Sequence, residues 1–228
     1  MKYLFLIISV FVVACQKKTA PSSSASGSSL RYLALGDSYT IGERVSEEKR
    51  WPIQLAAKLQ PDGFDIAKPQ IIARTGWTTD ELDRGINQAN PTGEFDLVSL
   101  LIGVNNQYRG RSSAEYATEF EALLKRAIDF ANGKKERVFV VSIPDYGVTP
   151  FAKNRNPEKI GREIDEFNAA QKRICEKYQI DFYDITPISR EAVQNPSLVA
   201  GDGLHPSGEM YKLWVESFYD KVKQKLGK

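Results

Sequence analysis

The chain is poor in histidine and cysteine: His205 is its one histidine, and Cys15 and Cys175 are its only cysteines. A structural zinc site of cysteine and histidine takes four such ligands, so this sequence cannot assemble one, and no metal is expected. Nor is any apolar run long enough to cross a bilayer. Tyr3 to Ala14 is a run of about 12 residues interrupted only by Ser9, where a membrane span needs roughly 20. Residues 1–29 lack any acid but hold Lys2, Lys17 and Lys18, which leaves 28 basic against 29 acidic groups in the remainder. The formal charge of +2 therefore belongs to the first residues, and the nearly neutral body has no electrostatic footprint for nucleic acid. Internal repeats are missing too, and 228 residues suit one domain.

Lys2 followed by that apolar run has the build of a secretory signal peptide. The run ends Val12-Val13-Ala14-Cys15, which resembles the bacterial lipoprotein signal, where cleavage leaves the cysteine as a lipid-bearing N-terminus; valine stands where leucine is usual. Residues 1–14 are thus expected to be a lipoprotein signal peptide, and 15–29 a lipidated Cys15 with a flexible tether rich in Ser, Ala and Gly. The implied location is the cell envelope, anchored to a bacterial membrane by acyl chains, several of which make the attachment durable. An ordinary secreted protein with a stray thiol is the plainer alternative. Cys175 falls at helical spacing with Ile164, Phe167 and Ile174 and reads as a small buried hydrophobe.

From Leu30 onward, apolar strand-like runs alternate with helix-like segments, the pattern of a parallel α/β sheet. Strands are expected near 31–35, 65–73, 96–102, 138–143 and 180–185. Helices are expected near 51–59, 78–89, 113–132, 157–178 and 210–226, with a short one near 190–193. Thr78 with Glu81 three residues on has the spacing of a capping box, and Asn132-Gly133 is a helix stop. The expected fold is a three-layer α/β/α flavodoxin-like sandwich on a five-stranded parallel sheet of order 2-1-3-4-5.

In such a sheet, ligands bind beyond the carboxyl ends of the strands, where the strand order reverses. Four segments with small or polar residues carry the candidate chemistry: Gly36-Asp37-Ser38, Thr75-Gly76-Trp77, Gly103-Val104-Asn105-Asn106 and Asp202-Gly203-Leu204-His205. The order 2-1-3-4-5 exposes Ser38 and Asn105 together, because the loops after strands one and three diverge at the reversal. Ser38 follows a glycine that can turn sharply out of a strand, a good post for a nucleophile, although Asp37 or Ser38 as a helix cap is the simpler reading. A small, mobile segment is expected after Ser38. The irregular stretch 184–203 is long enough to carry His205 back across the strand ends.

These four blocks, in order, resemble those of the SGNH hydrolase family, the GDSL esterases and lipases, and the resemblance runs from Leu30 to the last helix. It implies a serine ester hydrolase without cofactor. Ser38 would attack the ester carbonyl, His205 would shuttle the proton, and Asp202, on the same side of a helical turn, would hold the imidazole. The backbone N–H groups of Ser38 and Gly76 and the side-chain amide of Asn105 would meet the oxyanion. Gly76 suits that post because a side chain would crowd the oxyanion. Asn106 stands where the family usually has Asp. Trp77, Tyr108, Tyr146 and Phe151 are candidates for an acyl pocket. Arg109 and Arg111 read as solvated surface charge, with a phosphate or acidic sugar as the functional alternative. The implied partners are a small-molecule ester and a membrane reached through the anchor, with no protein partner evident. The expected substrates are lysophospholipids or short-chain acyl esters. The O-acetyl groups of a surface polysaccharide are the alternative, and a non-catalytic binding lipoprotein on the same fold is a third reading.

Overall fold

The computed structural model describes Met1 and residues 29–227; the expected signal, Cys15 and nearly all of the tether lie outside the described residues. The elements are β1 (Tyr32–Gly36), α1 (Ser38–Ile41), α2 (Trp51–Leu59), β2 (Gln70–Ala73), α3 (Thr79–Ala89), β3 (Leu97–Leu101), α4 (Val104–Tyr108), α5 (Ser113–Phe130), β4 (Val138–Val141), α6 (Pro157–Tyr178), β5 (Asp181–Tyr183), α7 (Thr186–Arg190) and α8 (Gly208–Leu226). Short 3₁₀ turns fill several of the connections.

All five strands are parallel, in the order β2-β1-β3-β4-β5, as expected. β1 and β3 are buried at every residue because helices cover both faces of the sheet, and this explains their nearly unbroken apolar sequence. Ser99 is the one polar residue of β3, and its hydroxyl is satisfied by that of Tyr32 at 2.8 Å. Right-handed crossovers decide the layers. The step from β1 to β2 runs one way along the sheet, and the steps through β3, β4 and β5 run the other way. So α2 lies on one face with α8, while α3, α5 and α6 pack together on the opposite face. Trp51 of α2 and Phe139 of β4 both pack against Phe218 of α8, with ring centroids 6.1 and 5.7 Å apart, and Tyr183 of β5 stacks on Phe218 at 5.1 Å.

The expected strand boundaries shrink most in three places, one of them the fourth strand, which ends at Val141 rather than 143. The second strand begins at Gln70, and only a single bridge pairs Ile66 with Leu30; Pro69 between them has no N–H to give to a ladder. The fifth strand ends at Tyr183, because Ser142 Oγ accepts the backbone N–H groups of Ile185 and Thr186 and turns the chain away. The short helix of the irregular stretch is α7, slightly earlier than expected, followed by a 3₁₀ turn at Glu191–Val193. Cys175 is buried, and burial pushes its thiol up to about 12, which makes it inert as a nucleophile. Among the described residues, no helix is long and apolar enough to cross a membrane.

Candidate active site

β1 ends against β3 with almost no room. A Cβ on Gly36 would come within 2.4 Å of the Leu101 carbonyl and 2.1 Å of Thr40 Oγ1, so glycine here is a matter of close approach. The chain then turns at Asp37, whose Oδ1 accepts the Tyr39 N–H at 3.0 Å and caps α1. The expected mobile segment is therefore a buried helical turn, with Ser38 as its first residue and only 4% exposed. Asp37 serves as the cap and Ser38 faces the cavity, so the two sequence readings of this segment hold for adjacent residues.

Asp202 and His205 meet, although not on a helical turn. Asp202 Oδ1 accepts the N–H groups of Leu204 and His205, each at 3.0 Å, and Oδ2 lies 2.6 Å from His205 Nδ1. This is an aspartate-capped turn, in which one side chain replaces the missing backbone acceptors. Burial pushes the Asp202 carboxyl up, but its bonds to the His205 ring and to the two N–H groups outweigh that and hold it below the usual range. Arg44 also stands 3.7 Å from Asp202 Oδ2.

Ser38, Gly76, Asn105 and His205 line one cavity of about 230 Å³, with Tyr39, Thr75, Val104, Tyr108, Tyr146, Phe151 and Leu204 as its other walls. The residues from both sides of the strand reversal thus share one space. No hydrogen bond joins Ser38 Oγ to His205 in this structure, so the expected contact is a shared cavity; such bonds are often long before substrate arrives. Tyr39, the neighbour of the serine, has its ring centroid 5.6 Å from that of His205. Among the described residues, no group of three or more His, Cys, Asp or Glu is arranged to hold a metal ion.

The loop carrying Gly76 is held at two points, by α4 and by Arg109 at its end. Asn105 Nδ2 donates to the Trp77 carbonyl at 3.0 Å, and Arg109 Nη2 to the Gly76 carbonyl at 2.6 Å. Arg109 is fixed in turn by Glu81, with each nitrogen of its fork 3.1 Å from one carboxylate oxygen, while Glu81 also accepts the Thr78 N–H at 2.9 Å in the expected capping box. A Cβ on Gly76 would meet nothing closer than Arg109 at 3.9 Å, and its φ is +86°. Its left-handed backbone, which disfavours any side chain, is thus the observed requirement. The second bond of Asn105 Nδ2 runs to Asp37 Oδ2 at 3.3 Å. Both its protons have partners, so serving an oxyanion means releasing or sharing the longer bond.

Residues 34–213 match the GDSL-like lipase/acylhydrolase family. The chain belongs to that family. Members of the family are carboxylic ester hydrolases, and so is this chain. A curated relative, an arylesterase of Vibrio mimicus, is 27% identical over 203 residues, spanning 86% of this chain and 89% of the relative. Among solved structures, that of TesA superposes with a TM-score of 0.68 at 16% identity, covering 86% of this chain and 99% of the other. The psychrotrophic esterase EstA from a Pseudoalteromonas species gives 0.64 at 20% identity, covering 87% and 99%. The acetylxylan esterase Axe2 from Geobacillus stearothermophilus gives 0.63 at 20% identity, covering 86% and 95%. These likenesses show the fold.

Against the family pattern, Asn106 keeps its place by a changed network. It is fully buried, its Oδ1 accepts the Thr79 N–H at 3.1 Å, and its Nδ2 donates to Thr79 Oγ1 at 2.6 Å and reaches Glu119 Oε2 at 3.5 Å. Thr79 Oγ1 in turn bonds Glu119. The neighbouring carboxylate is Glu119 of α5, beside Arg111. Arg111 also pairs with Asp80 at 2.8 Å, so both Arg109 and Arg111 are committed to carboxylates. Of the four pocket candidates, Tyr108, Tyr146 and Phe151 line the cavity and Trp77 does not. The Trp77 ring instead covers Gly85, where a Cβ would come within 2.1 Å of it. The role of Glu119 and the bond of Asp37 to Asn105 were not readable from the four blocks, since each depends on a partner 13 to 68 residues away.

Proposed function

We propose that the chain is a serine esterase acting on carboxylic esters with short acyl groups, through Ser38, His205 and Asp202. The observation that carries this reading is that His205, bonded through Nδ1 to Asp202, lines the same cavity as Ser38. Ser38 Oγ attacks the ester carbonyl and passes its proton to His205 Nε2. The Asp202 carboxylate keeps the other ring proton on Nδ1 and stabilises the imidazolium that forms. The negative charge on the carbonyl oxygen faces the N–H groups of Ser38 and Gly76 and the amide of Asn105. His205 then protonates the leaving alcohol as the C–O bond breaks, leaving an acyl-Ser38 ester. A water, deprotonated by His205, cleaves that ester and restores Ser38. The chain's similarity to an arylesterase and the mostly apolar lining of the cavity support an ester substrate with an apolar part.

The test is hydrolysis of p-nitrophenyl acetate and butyrate by a soluble form lacking residues 1–15, beside Ser38→Ala. Turnover lost in Ser38→Ala supports the reading; equal rates in the two proteins reject it. The likeness to the acetylxylan esterase Axe2 supports one other substrate, the O-acetyl group of a polysaccharide, and acetate release from acetylated xylan measures it. A lipid on Cys15, holding the enzyme at a bacterial membrane, is proposed from the sequence at Val12–Cys15. Cys15→Ser is expected to free the protein from the membrane fraction, and unchanged association would remove that proposal.

A further inference from the structure

The cavity has an aromatic outer wall that is braced from behind. The ring centroids of Tyr108, Tyr146 and Phe151 are 6.0 to 6.3 Å apart in every pairing, and all three residues line the space beside Ser38 and His205. Tyr146 is buried, whereas Tyr108 is 45% and Phe151 40% exposed, so these two stand between the cavity and solvent. Arg155 does not line the cavity. Its guanidinium lies 4.8 Å from the Tyr108 centroid and 5.0 Å from that of Phe151, and its Nη2 donates to the Tyr108 hydroxyl at 2.8 Å. One planar cation thus covers the outer side of both rings, an arrangement to which arginine is suited and lysine less so.

This wall is also tied to the catalytic segment. Phe151 N donates to the Gly203 carbonyl at 2.9 Å, and Arg155 N to the Ala152 carbonyl at 2.8 Å, so the turn bearing Phe151 is bonded to the stretch between Asp202 and His205.

We propose that Tyr108 and Phe151, held in place by Arg155, form a stop that restricts the acyl group to short chains. The proposal rests on the serine-esterase reading and names its substrate class: esters of short, apolar carboxylic acids. Tyr108 and Phe151 set the limit by contact with the acyl chain. Arg155 is a positioning residue, acting through the two rings. Contact with one additional methylene changes specificity by about 10- to 200-fold in a well-fitted apolar site, so the stop is readable as a ratio between long and short esters.

The test is kcat/KM on p-nitrophenyl esters from acetate to octanoate. The wild-type ratio of octanoate to acetate is expected below about one-tenth. Phe151→Ala raises that ratio by about tenfold or more, and Tyr108→Leu, a second variant in case the first folds poorly, raises it in the same direction. Arg155→Gln raises it by about threefold through a lower KM for octanoate, and Arg155→Lys falls between Arg155→Gln and wild type. A ratio unmoved in Phe151→Ala, Tyr108→Leu and Arg155→Gln overturns the proposal. A binding measurement separates this result from failure of the catalytic reading. The Ser38→Ala protein is titrated with p-nitrophenyl butyrate and octanoate, followed by quenching of its aromatic emission. Preference for butyrate, lost when Phe151→Ala is added, supports the stop whatever the turnover; equal affinities for the two esters overturn it.

Discussion

The Asp202 carboxylate reaches His205 through both of its oxygens: Oδ2 lies 2.6 Å from ring Nδ1, and Oδ1 accepts the backbone N–H of the same residue at 3.0 Å. One side chain therefore shapes the turn and orients the ring that the turn carries. Asp202→Asn keeps the size but cannot accept at both places. A kcat lower by about a thousandfold or more, with KM much less affected, is expected in steady-state kinetics on a p-nitrophenyl ester. A loss of less than tenfold would show that the ring finds its orientation elsewhere.

Arg109 acts at a distance from the reacting atoms. It holds the Gly76 carbonyl at 2.6 Å and is itself held by Glu81, so its removal frees the loop that aims the Gly76 N–H. A misplacement of about 1 Å in such a donor costs on the order of a hundredfold in rate. Arg109→Gln is expected to lower kcat by about ten- to a hundredfold while leaving KM nearly unchanged. A rise in KM with kcat intact would assign Arg109 to substrate binding instead.

Asp37 and Asp202 drive stability in opposite directions as pH changes. Asp202 sits below the usual carboxylate range when folded, so its contribution is complete above the unfolded value and is lost as pH falls through the folded one. Asp37 is the reverse case: burial, only partly offset by the Tyr39 N–H and the Asn105 amide, pushes it up from 3.8 to about 7. The folded state then holds a proton that the unfolded chain has released, and stability falls as pH rises from about 4 to 7. Urea unfolding at pH 5 and pH 8 tests the direction: the stability of wild type relative to Asp37→Asn is expected to be greater at pH 5. No difference between the two pH values would mean that Asp37 stays ionised in the fold.

Asn106 and Glu119 are expected to couple. Restoring the family carboxylate with Asn106→Asp removes a donor to Thr79 Oγ1 and sets a second charge against Glu119 Oε2, now 3.5 Å from Asn106 Nδ2. A loss of about 1–3 kcal/mol is expected in chemical unfolding. Adding Glu119→Gln should recover part of it, giving an interaction term of about 0.5 kcal/mol or more in the double-mutant cycle. Strict additivity would place Glu119 outside the network.

Much of this protein was already legible in its sequence. The nearly unbroken apolar runs of β1, β3 and β4 mark strands covered on both faces, and the helical spacing of Ile164, Phe167, Ile174 and Cys175 marks the buried side of α6. Local rules also marked the capping box at Thr78 and the strand-end position of Ser38, because each depends on residues a few positions apart. Tertiary structure alone decided which side chains share the cavity, that the Trp77 ring covers Gly85 while Phe151 lines the cavity with His205, and that Glu119 comes from another helix to meet Asn106 and Thr79. It also decided the upward shift of the Asp37 carboxyl, since a carboxyl's pKa responds to the water it loses and the partners it gains. One of those partners, Asn105, is brought to Asp37 by the pairing of β1 with β3, a long-range event that no stretch of the sequence around Asp37 records.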